Sequence, residues 1–217
     1  MPPDGFDRPT LQQDLVEGLS ELGIEASEQQ QDKLLDFLQL LVRWNSAYNL
    51  TAVREPGQMI GLHILDSLSL IPHLKGQRCI DVGTGPGLPG IPLAIMQPQK
   101  QFTLLDSNGK RVRFLFQVRN QLGLLNVEEL HDRVEHYKPV VAFDSVLSRA
   151  FSSLPDMVGK CRHLLAEGGC FLAMKGKFPQ TELSDLPKGF MVGASQRLNV
   201  PGVEGERHVI ELITVEN

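Results

Sequence analysis

A glycine-rich stretch near the middle of the chain follows one short apolar run and precedes another. Residues 78–80 predict a strand, residues 91–96 predict a helix, and residues 81–90 between them read DVGTGPGLPG. Glycine lets a ligand approach the backbone without a Cβ in the way, and the start of a helix offers unpaired N–H groups. The stretch therefore predicts a strand–loop–helix turn that binds a nucleotide-like ligand.

The spacing of these glycines separates two kinds of ligand. Asp81 stands two residues before Gly83, and Gly83, Gly85 and Gly87 alternate. An acid followed by alternating glycines is typical of the S-adenosylmethionine (AdoMet) loop in Rossmann-like methyltransferases. The dinucleotide fingerprint G-x-G-x-x-G also fits from Gly85 to Gly90, but that register starts the turn two residues late. The loop favours AdoMet over NAD, and a tight turn without a ligand is a third interpretation.

The composition favours one cytoplasmic α/β domain with a modest extension, since 217 residues are enough to bury a full core. No apolar run approaches the roughly 20 residues of a membrane span, and the chain does not begin with a basic and then apolar signal sequence. Three cysteines without metal-ligand spacing predict buried thiols and no metal site. A net charge of −5 gives no general attraction to nucleic acid, so RNA binding requires a local basic patch. We expect a monomer without a membrane partner.

Helical spacing dominates residues 1–75, which we predict to form an α-helical extension packed on the core. Helices are expected over residues 10–23, from the cap at Ser27 to residue 44, and over 55–71, and residues 45–51 interrupt the pattern. Ser27 and Gln30 predict a capping box before the second helix.

Residues 76–217 alternate between strand and helix and predict an AdoMet-binding domain that forms one structural unit with the extension. Predicted strands cover residues 78–80, 101–106, 126–130, 143–148 and 170–174, with helices over 107–122 and 155–165 and a turn at 168–169. Two final strands, 190–198 and 208–215, flank a short turn and must run antiparallel. A parallel sheet ending in an antiparallel hairpin is the α/β fold of class I AdoMet-dependent methyltransferases, whereas an NAD domain would continue with another βαβ half.

Ligands of such sheets bind at the carboxyl ends of the strands. Asp106 ends the second strand, where a carboxylate can accept both ribose hydroxyls or stabilise the dipole of the next helix. Val134 and Glu135 follow the third strand, where a backbone N–H and a carboxylate can bind adenine, or simply form a solvated loop. We take Asp106, Val134 and Glu135 as candidate cofactor contacts.

Arg149 follows the fourth strand, at the position where the acceptor or the AdoMet carboxylate should lie. The alternative is a surface ion pair with Asp144 or Asp156. The Pro-Pro-aromatic motif of enzymes that methylate exocyclic amines is absent here, and no cysteine follows a proline as pyrimidine carbon-5 methylation of RNA would require. The sequence therefore offers no catalytic acid, base or nucleophile.

Basic residues mark a candidate RNA surface. Lys175 and Lys177 follow the fifth strand, and Arg111 and Arg119 lie two turns apart on one predicted helix. Several phosphate contacts of this kind would give an acidic protein a usable RNA surface, although a solvated lysine pair is the simpler alternative.

These motifs, taken in order, resemble one family over nearly the whole chain, the RsmG family, also called glucose-inhibited division protein B (GidB). The matching segments are NLTA at 49–52, HILDSL at 63–68, the loop at 81–90, KRVRFL at 110–115, SRA at 148–150 and ERH at 206–208. The resemblance implies AdoMet-dependent methylation of N7 of guanine 527, in the 530 loop of bacterial 16S rRNA. It therefore implies 16S rRNA or the small ribosomal subunit as the partner.

The resemblance also assigns residues. It places AdoMet contacts at Gly83, Leu88, Val134, Glu135 and Arg149. Arg207, in the ERH segment, is a further RNA candidate that the resemblance does not assign. Guanine N7 carries a lone pair and no proton, which agrees with the missing base and nucleophile. Three alternatives stay open: an AdoMet enzyme acting on another RNA site or a small molecule, an NAD(P)-dependent oxidoreductase, and a non-catalytic rRNA- or ribosome-binding protein.

Overall fold

The computed structural model describes residues 5–149 and 151–215, and its centre is a seven-stranded sheet with the order β3-β2-β1-β4-β5-β7-β6. The five strands β1 to β5 are parallel, and β7 lies antiparallel between β5 and β6. The strands are β1 (Arg78–Val82), β2 (Gln101–Asp106), β3 (Val127–His131), β4 (Phe143–Ser148), β5 (Leu165–Lys175), β6 (Phe190–Arg197) and β7 (His208–Thr214). The predicted fold class, including the closing antiparallel hairpin, is confirmed.

Eight α-helices surround this sheet in the described part of the chain. They are α1 (Arg8–Glu21), α2 (Glu28–Tyr48), α3 (Pro56–Met59), α4 (Asp66–Leu68), α5 (Gly90–Met96), α6 (Gly109–Leu122), α7 (Leu154–Cys161) and α8 (Gln180–Ser184). A π-helix (Ile60–Leu65) joins α3 to α4, and short 3₁₀ turns follow at Ile71–His73 and Arg162–Leu164. No helix among the described residues is both long and apolar enough to cross a membrane.

The start of α2 confirms the predicted capping box, and its end differs from the prediction. Gln30 N–H donates to Ser27 Oγ at 3.2 Å, and Ser27 N–H donates to Gln30 Oε1 at 3.0 Å. The helix continues beyond residue 44 to Tyr48, where Asn49 ends it with φ of 51°. The buried Asn45 amide accepts from Thr51 N–H and donates to Val53 O, so a polar residue ties the last turn to the next loop.

Two further boundaries were wrong for local reasons. The glycines predicted as a turn at 168–169 lie inside β5, as an irregularity in its pairing with β4. A Cβ on Gly169 would lie 2.9 Å from Asp144 O, so glycine permits close strand packing there. Helix α6 begins at Gly109 and not at residue 107, because the side chain of Asn108 caps it by accepting from Lys110 N–H.

The core has two parts, one on each face of the sheet. Cys79 contributes to the part that contains Leu38 and Phe114, whereas its neighbour Ile80 contributes to the part that contains Met157. Alternation along the strand explains the division. The N-terminal helices thus share one hydrophobic cluster with α6, and this packing brings residues 49–66 to the carboxyl edge of the sheet.

Candidate active site

The glycine loop is held at both ends by the carboxylate of Asp81, the fourth residue of β1. Asp81 Oδ2 accepts from Thr84 Oγ1 at 2.6 Å and from Gly90 N–H at 2.9 Å. Between these anchors Gly83, Gly85 and Gly87 have φ values of 68°, 61° and 90°. These angles are unfavourable for residues with a Cβ, so the alternating glycines are a requirement of the loop conformation.

The second oxygen of Asp81 has no hydrogen-bond partner among the described residues, although the side chain is fully buried. Burial raises the pKa of Asp81 to about 6, against the opposing effect of its bonds to Thr84 and Gly90 and of nearby Arg149. A buried polar atom without a partner is expensive, and a ligand or an ordered water usually supplies the missing donor.

A cavity of about 290 Å³ opens beside the loop, over β1, β2 and β3. It brings together four residues predicted as cofactor contacts: Gly83, Asp106, Val134 and Glu135. Its other lining residues include apolar Val82, Leu105 and Phe151, and the side chain of Arg111.

Asp106 is almost completely buried and already carries several hydrogen bonds. Oδ2 accepts from Gly85 N–H at 2.9 Å and from Arg111 Nη1 at 3.2 Å, and Oδ1 accepts from Asn108 N–H at 2.8 Å. A carboxylate has about four acceptor positions, so Oδ1 retains one for a further donor. Asp106 therefore joins the loop, the start of α6 and the cavity.

Two of the implied AdoMet contacts do not line this cavity. The side chain of Leu88 is buried in the core, and its N–H donates to Thr84 O at 3.0 Å. Arg149 lies on the other side of the glycine loop. Their roles toward a cofactor stay predictions.

Arg149 forms a second cluster with Asp66 and Arg207. Arg149 Nη1 lies 3.2 Å from Asp66 Oδ2, and Arg207 Nε lies 3.3 Å from Asp66 Oδ1, at ion-pair distance but without hydrogen-bond alignment. Asp66 is 3% exposed, whereas the two guanidinium side chains are 29% and 26% exposed. Burial raises the pKa of Asp66, and the two arginines oppose that shift.

The alternative ion pairs considered for Arg149 were wrong. Asp144 accepts from the backbone N–H groups of Gln77 and Arg78, and Asp156 pairs with Lys160. The cluster of Asp66 with Arg149 and Arg207 contains one negative and two positive charges, so it retains a net positive charge that can attract an anion.

His63 lies beside this cluster, in the π-helix. It is 4% exposed, and its Nε2 lies 2.9 Å from Thr51 Oγ1. Burial, reinforced by the positive charge of Arg149, lowers the pKa of His63 to about 4, so the ring is neutral at physiological pH. His63 is therefore a packed helix residue.

Most of the RNA candidates already have intramolecular partners. Arg111 pairs with Asp106, Arg119 pairs with Glu129 at 3.3 Å, and Lys175 Nζ lies 2.9 Å from Glu182 Oε2. Eight residues of α6 separate the two arginines by about 12 Å along the helix axis, so they do not reach the cavity together. Lys177 is exposed and Arg207 belongs to the cluster with Asp66, and none of the five has a tested role toward RNA.

The sequence alone did not assign Asp66, Phe151 or Glu182. Asp66 lies within the HILDSL motif, which was a signal of the family but not of a role. Its partners Arg149 and Arg207 are remote in the chain, and only the fold brings them together. Ala150, inside the SRA motif, lies outside the described residues.

The three cysteines are buried in the core and are not available as nucleophiles. Burial raises the pKa of Cys79 and Cys161 to about 12 and that of Cys170 to about 11. The thiolate is the reactive form, so these thiols are inert at neutral pH.

Comparison with known proteins places this geometry in a family. The family model described as GidB, rRNA small subunit methyltransferase G, matches residues 30–210. The ribosomal RNA small subunit methyltransferase G of Alteromonas mediterranea is 54% identical over 94% of this chain and 98% of that protein. Its counterpart from Shewanella amazonensis is 53% identical over the same shares of the two chains.

A solved structure gives independent support for the fold. The glycopeptide N-methyltransferase MtfA, complexed with S-adenosyl-L-homocysteine, superposes with a TM-score of 0.60 over 70% of this chain and 87% of that one, at 10% identity. At this identity the likeness concerns the fold alone. The family match and the relatives show that the chain belongs to the GidB family of rRNA small subunit methyltransferases, as its motifs predicted.

Proposed function

We propose that this protein transfers the methyl group of AdoMet to N7 of guanine 527, in the 530 loop of bacterial 16S rRNA. The observation that carries the proposal is the meeting of Gly83, Asp106, Val134 and Glu135 around one cavity beside the Asp81 loop. The family name supports small-subunit rRNA as the substrate. The nucleotide and the atom are the part that remains to be tested.

The cavity suits the adenosine half of AdoMet. Its volume of about 290 Å³ is near the lower end of small-molecule sites, which span about 300–1,000 Å³. The free acceptor position of Asp106 Oδ1 can bind a ribose hydroxyl, and Val134 N–H with the Glu135 carboxylate can bind the adenine edge. Phe151 and Leu105 supply apolar contact for the base.

The amino-acid half of AdoMet would then extend along the glycine loop toward Asp81 and Arg149. Its ammonium group would satisfy the unpartnered Asp81 Oδ1, directly or through one water. Its carboxylate would approach Arg149, which Asp66 neutralises only in part. AdoMet supplies an electrophilic methyl group on a sulfonium ion, and the chain supplies the position of that group.

Guanine N7 is the acceptor that best fits the side chains at this edge. Its lone pair needs no base, and the two histidines at this edge, His63 and His208, are buried at 4% and 7% exposure. The inert thiols leave no nucleophile for carbon-5 methylation. Positioning alone can lower the barrier by about 7–11 kcal/mol, which suits a site without acid–base chemistry.

The remaining parts of the proposal concern the setting. We propose a cytoplasmic monomer that acts on 16S rRNA or on the small subunit. An AdoMet enzyme with another acceptor and a non-catalytic rRNA-binding protein remain the outcomes that the experiment must distinguish.

The test uses labelled AdoMet and 16S rRNA from a strain that lacks this methylation. Label should enter one guanine of the 530 loop, and chemical cleavage specific for N7-methylguanine should map it there. Calorimetry in parallel should show binding of AdoMet and of S-adenosylhomocysteine but not of NAD. Label at another atom or nucleotide would refute the acceptor assignment, and AdoMet binding without transfer to rRNA would favour the non-catalytic alternative.

A further inference from the structure

The carboxyl edge of the sheet has two halves, separated by the glycine loop. The cavity lies over β1, β2 and β3, whereas Arg149 follows β4 and Lys175 ends β5. β7 runs antiparallel to β5 and begins at the same edge, since Lys175 pairs with His208. If adenosine fills the first half, the acceptor base has to approach from the half formed by β4, β5 and β7.

A short loop after β5 is fixed across this second half. Lys175 Nζ lies 2.9 Å from Glu182 Oε2, and the same oxygen accepts from Leu154 N–H at 2.7 Å, at the start of α7. Pro179, the last residue before α8, is buried. Because Lys175 and Glu182 tie the two elements that flank the loop and its last residue is buried, the loop holds its remaining residues in defined positions.

Phe178 is the large apolar side chain that this loop exposes. Its side chain is 40% exposed, and the centroid of its ring lies 5.5 Å from that of His208 with an interplanar angle of 69°. His208 is 7% exposed, and its Nδ1 has no hydrogen-bond partner among the described residues. One side of Phe178 therefore lies against a buried histidine with unused hydrogen-bonding capacity, while the other remains open to a ligand.

Two cationic residues lie close to Phe178 in the chain or to the loop that carries it. Lys177 is exposed and makes no ion pair with any residue that the structure describes. Arg207 lies over Gly176, where an added Cβ would come 3.8 Å from Arg207 Nη1. An exposed aromatic ring with cations nearby is a combination with which proteins stack an unpaired RNA base and bind its neighbouring phosphates.

We propose that Phe178 is the surface on which the target guanine stacks, with Lys177 and Arg207 facing the phosphates on either side. The inference rests on the proposed function and deepens it, because it names the residue that contacts the acceptor base. It also gives the loop from β5 to α8 a purpose, which is to hold an aromatic ring beside the site of methyl transfer.

An aromatic surface suits the change of charge during this reaction. The N7 lone pair forms the new N–C bond, the electron pair of the C–S bond stays on sulfur, and no proton moves. Positive charge thus passes from the sulfonium to the guanine. The face of a phenylalanine ring attracts cations, so this contact strengthens as the base becomes positive. An interaction stronger in the transition state than in the ground state raises the rate of the chemical step.

The experiment compares Phe178→Leu with Phe178→Trp in single-turnover methyl transfer to 16S rRNA, with saturating enzyme and AdoMet. Leucine keeps an apolar side chain but removes the ring, so the rate constant should fall about 2- to 30-fold. Tryptophan keeps an aromatic face, so the rate should equal or exceed that of the wild-type protein. The matched control is Phe116→Leu, the same change at a 51% exposed phenylalanine of α6, which should leave the rate unchanged. Calorimetry should give the wild-type AdoMet affinity for all three variants.

The outcomes separate this inference from the function on which it rests. Equal rates for the leucine and tryptophan variants of Phe178, in an active wild-type background, would overturn only the stacking proposal. A loss of AdoMet affinity in Phe178→Leu would overturn it as well, because the residue would then support the cofactor site. If the wild-type protein methylates no guanine N7, the proposed function fails and takes this inference with it.

Discussion

Asp81 provides the sharpest test of the cofactor site, because its burial sets a measurable pH dependence. Its pKa of about 6, against an ordinary value of 3.8, means that the folded protein holds this proton more tightly than the unfolded chain does. The stability contributed by the protonated form is complete below about pH 4 and is lost as the pH rises through 6. The full loss is about 3 kcal/mol, of which about 1.4 kcal/mol falls between pH 5 and 8.

The Asp81→Asn variant removes this dependence and keeps the shape of the side chain. Its side-chain oxygen can still accept from Thr84 and Gly90, while its NH₂ group takes the position of Asp81 Oδ1, which has no hydrogen-bond partner among the described residues. That unsatisfied donor costs the variant about 1–3 kcal/mol, whereas ionised Asp81 costs the wild-type protein about 3 kcal/mol at pH 8. Without ligand, the variant should therefore be nearly as stable as the wild-type protein, or more stable, at that pH. At lower pH the wild-type protein should gain on the variant.

The assay is urea unfolding of both proteins at several pH values from 5 to 8. The difference between their free energies of unfolding should change by about 1.4 kcal/mol across that range, whichever protein is the more stable at pH 8. AdoMet affinity of the wild-type protein should rise from pH 5 to 7, as Asp81 ionises and attracts the ammonium group, and Asp81→Asn should bind at least about tenfold more weakly at pH 7. A pH-independent stability difference would refute the raised pKa, and unchanged AdoMet affinity would refute the contact with Asp81.

Three further results follow from the structure. Gly83→Ala should lose AdoMet binding in calorimetry. The control Gly123→Ala also places a Cβ at positive φ but lies outside the cavity, so it should cost about 1–2 kcal/mol of stability and keep AdoMet binding. Equal effects of the two variants on binding would contradict the role of the loop. Asp66→Asn should lower the free energy of unfolding, measured in urea, by about 1–3 kcal/mol. Loss of a fully buried ion pair would cost more, but here both guanidinium groups are partly exposed. A loss below about 0.5 kcal/mol would contradict a stabilising role of the cluster. For RNA binding, Lys177→Ala should reduce the slope of the logarithm of the binding constant against the logarithm of the salt concentration by about 0.7. Arg119→Ala should leave this slope unchanged, because Glu129 already pairs with that guanidinium. The opposite result would place the RNA surface on α6.

The fold was predictable because its signals are local. Four of the first five strands contain a short apolar run, β3 alternates Val127 and Leu130 with charged residues, and the loop at 81–90 has three alternating glycines at positive φ. Family membership confirms the methyltransferase class that these signals predicted, and with it AdoMet in place of NAD. The predicted bounds of β2 and β4 agree with the structure residue by residue.

The errors in the fold arose where a tertiary contact decided the local structure. Two adjacent glycines usually mark a turn, but Gly168 and Gly169 lie within a strand, where the backbone of Asp144 passes close to Gly169. The polar run after Trp44 resembles a helix end, yet α2 continues because Asn45 finds buried partners in the following loop. Neither contact can be read from the spacing of residues along the chain.

The candidate site was also predictable from the sequence only in part. Gly83, Asp106, Val134 and Glu135 follow consecutive parallel strands, so topology alone predicts their meeting. Helical spacing placed Arg111 and Arg119 on one face, but it could not show that an acid outside the helix already pairs with each of them.

The cluster of Asp66 with Arg149 and Arg207 changes the interpretation of the N-terminal extension. Asp66 directly follows the π-helix, which adds one residue to the turn before it and also carries His63. Such turns often occur at functional sites because they redirect the side chains that follow. Within the described residues, Asp66 is what the extension contributes to the ion-pair cluster. It lies between Arg149, which follows β4, and Arg207, which precedes β7. The cofactor cavity takes its lining from the sheet, its loops and α6, whereas Arg149, the proposed contact of the AdoMet carboxylate, pairs with Asp66 of the extension. Damage to the π-helix should therefore weaken AdoMet binding in calorimetry through Arg149, while the adenosine cavity keeps its lining.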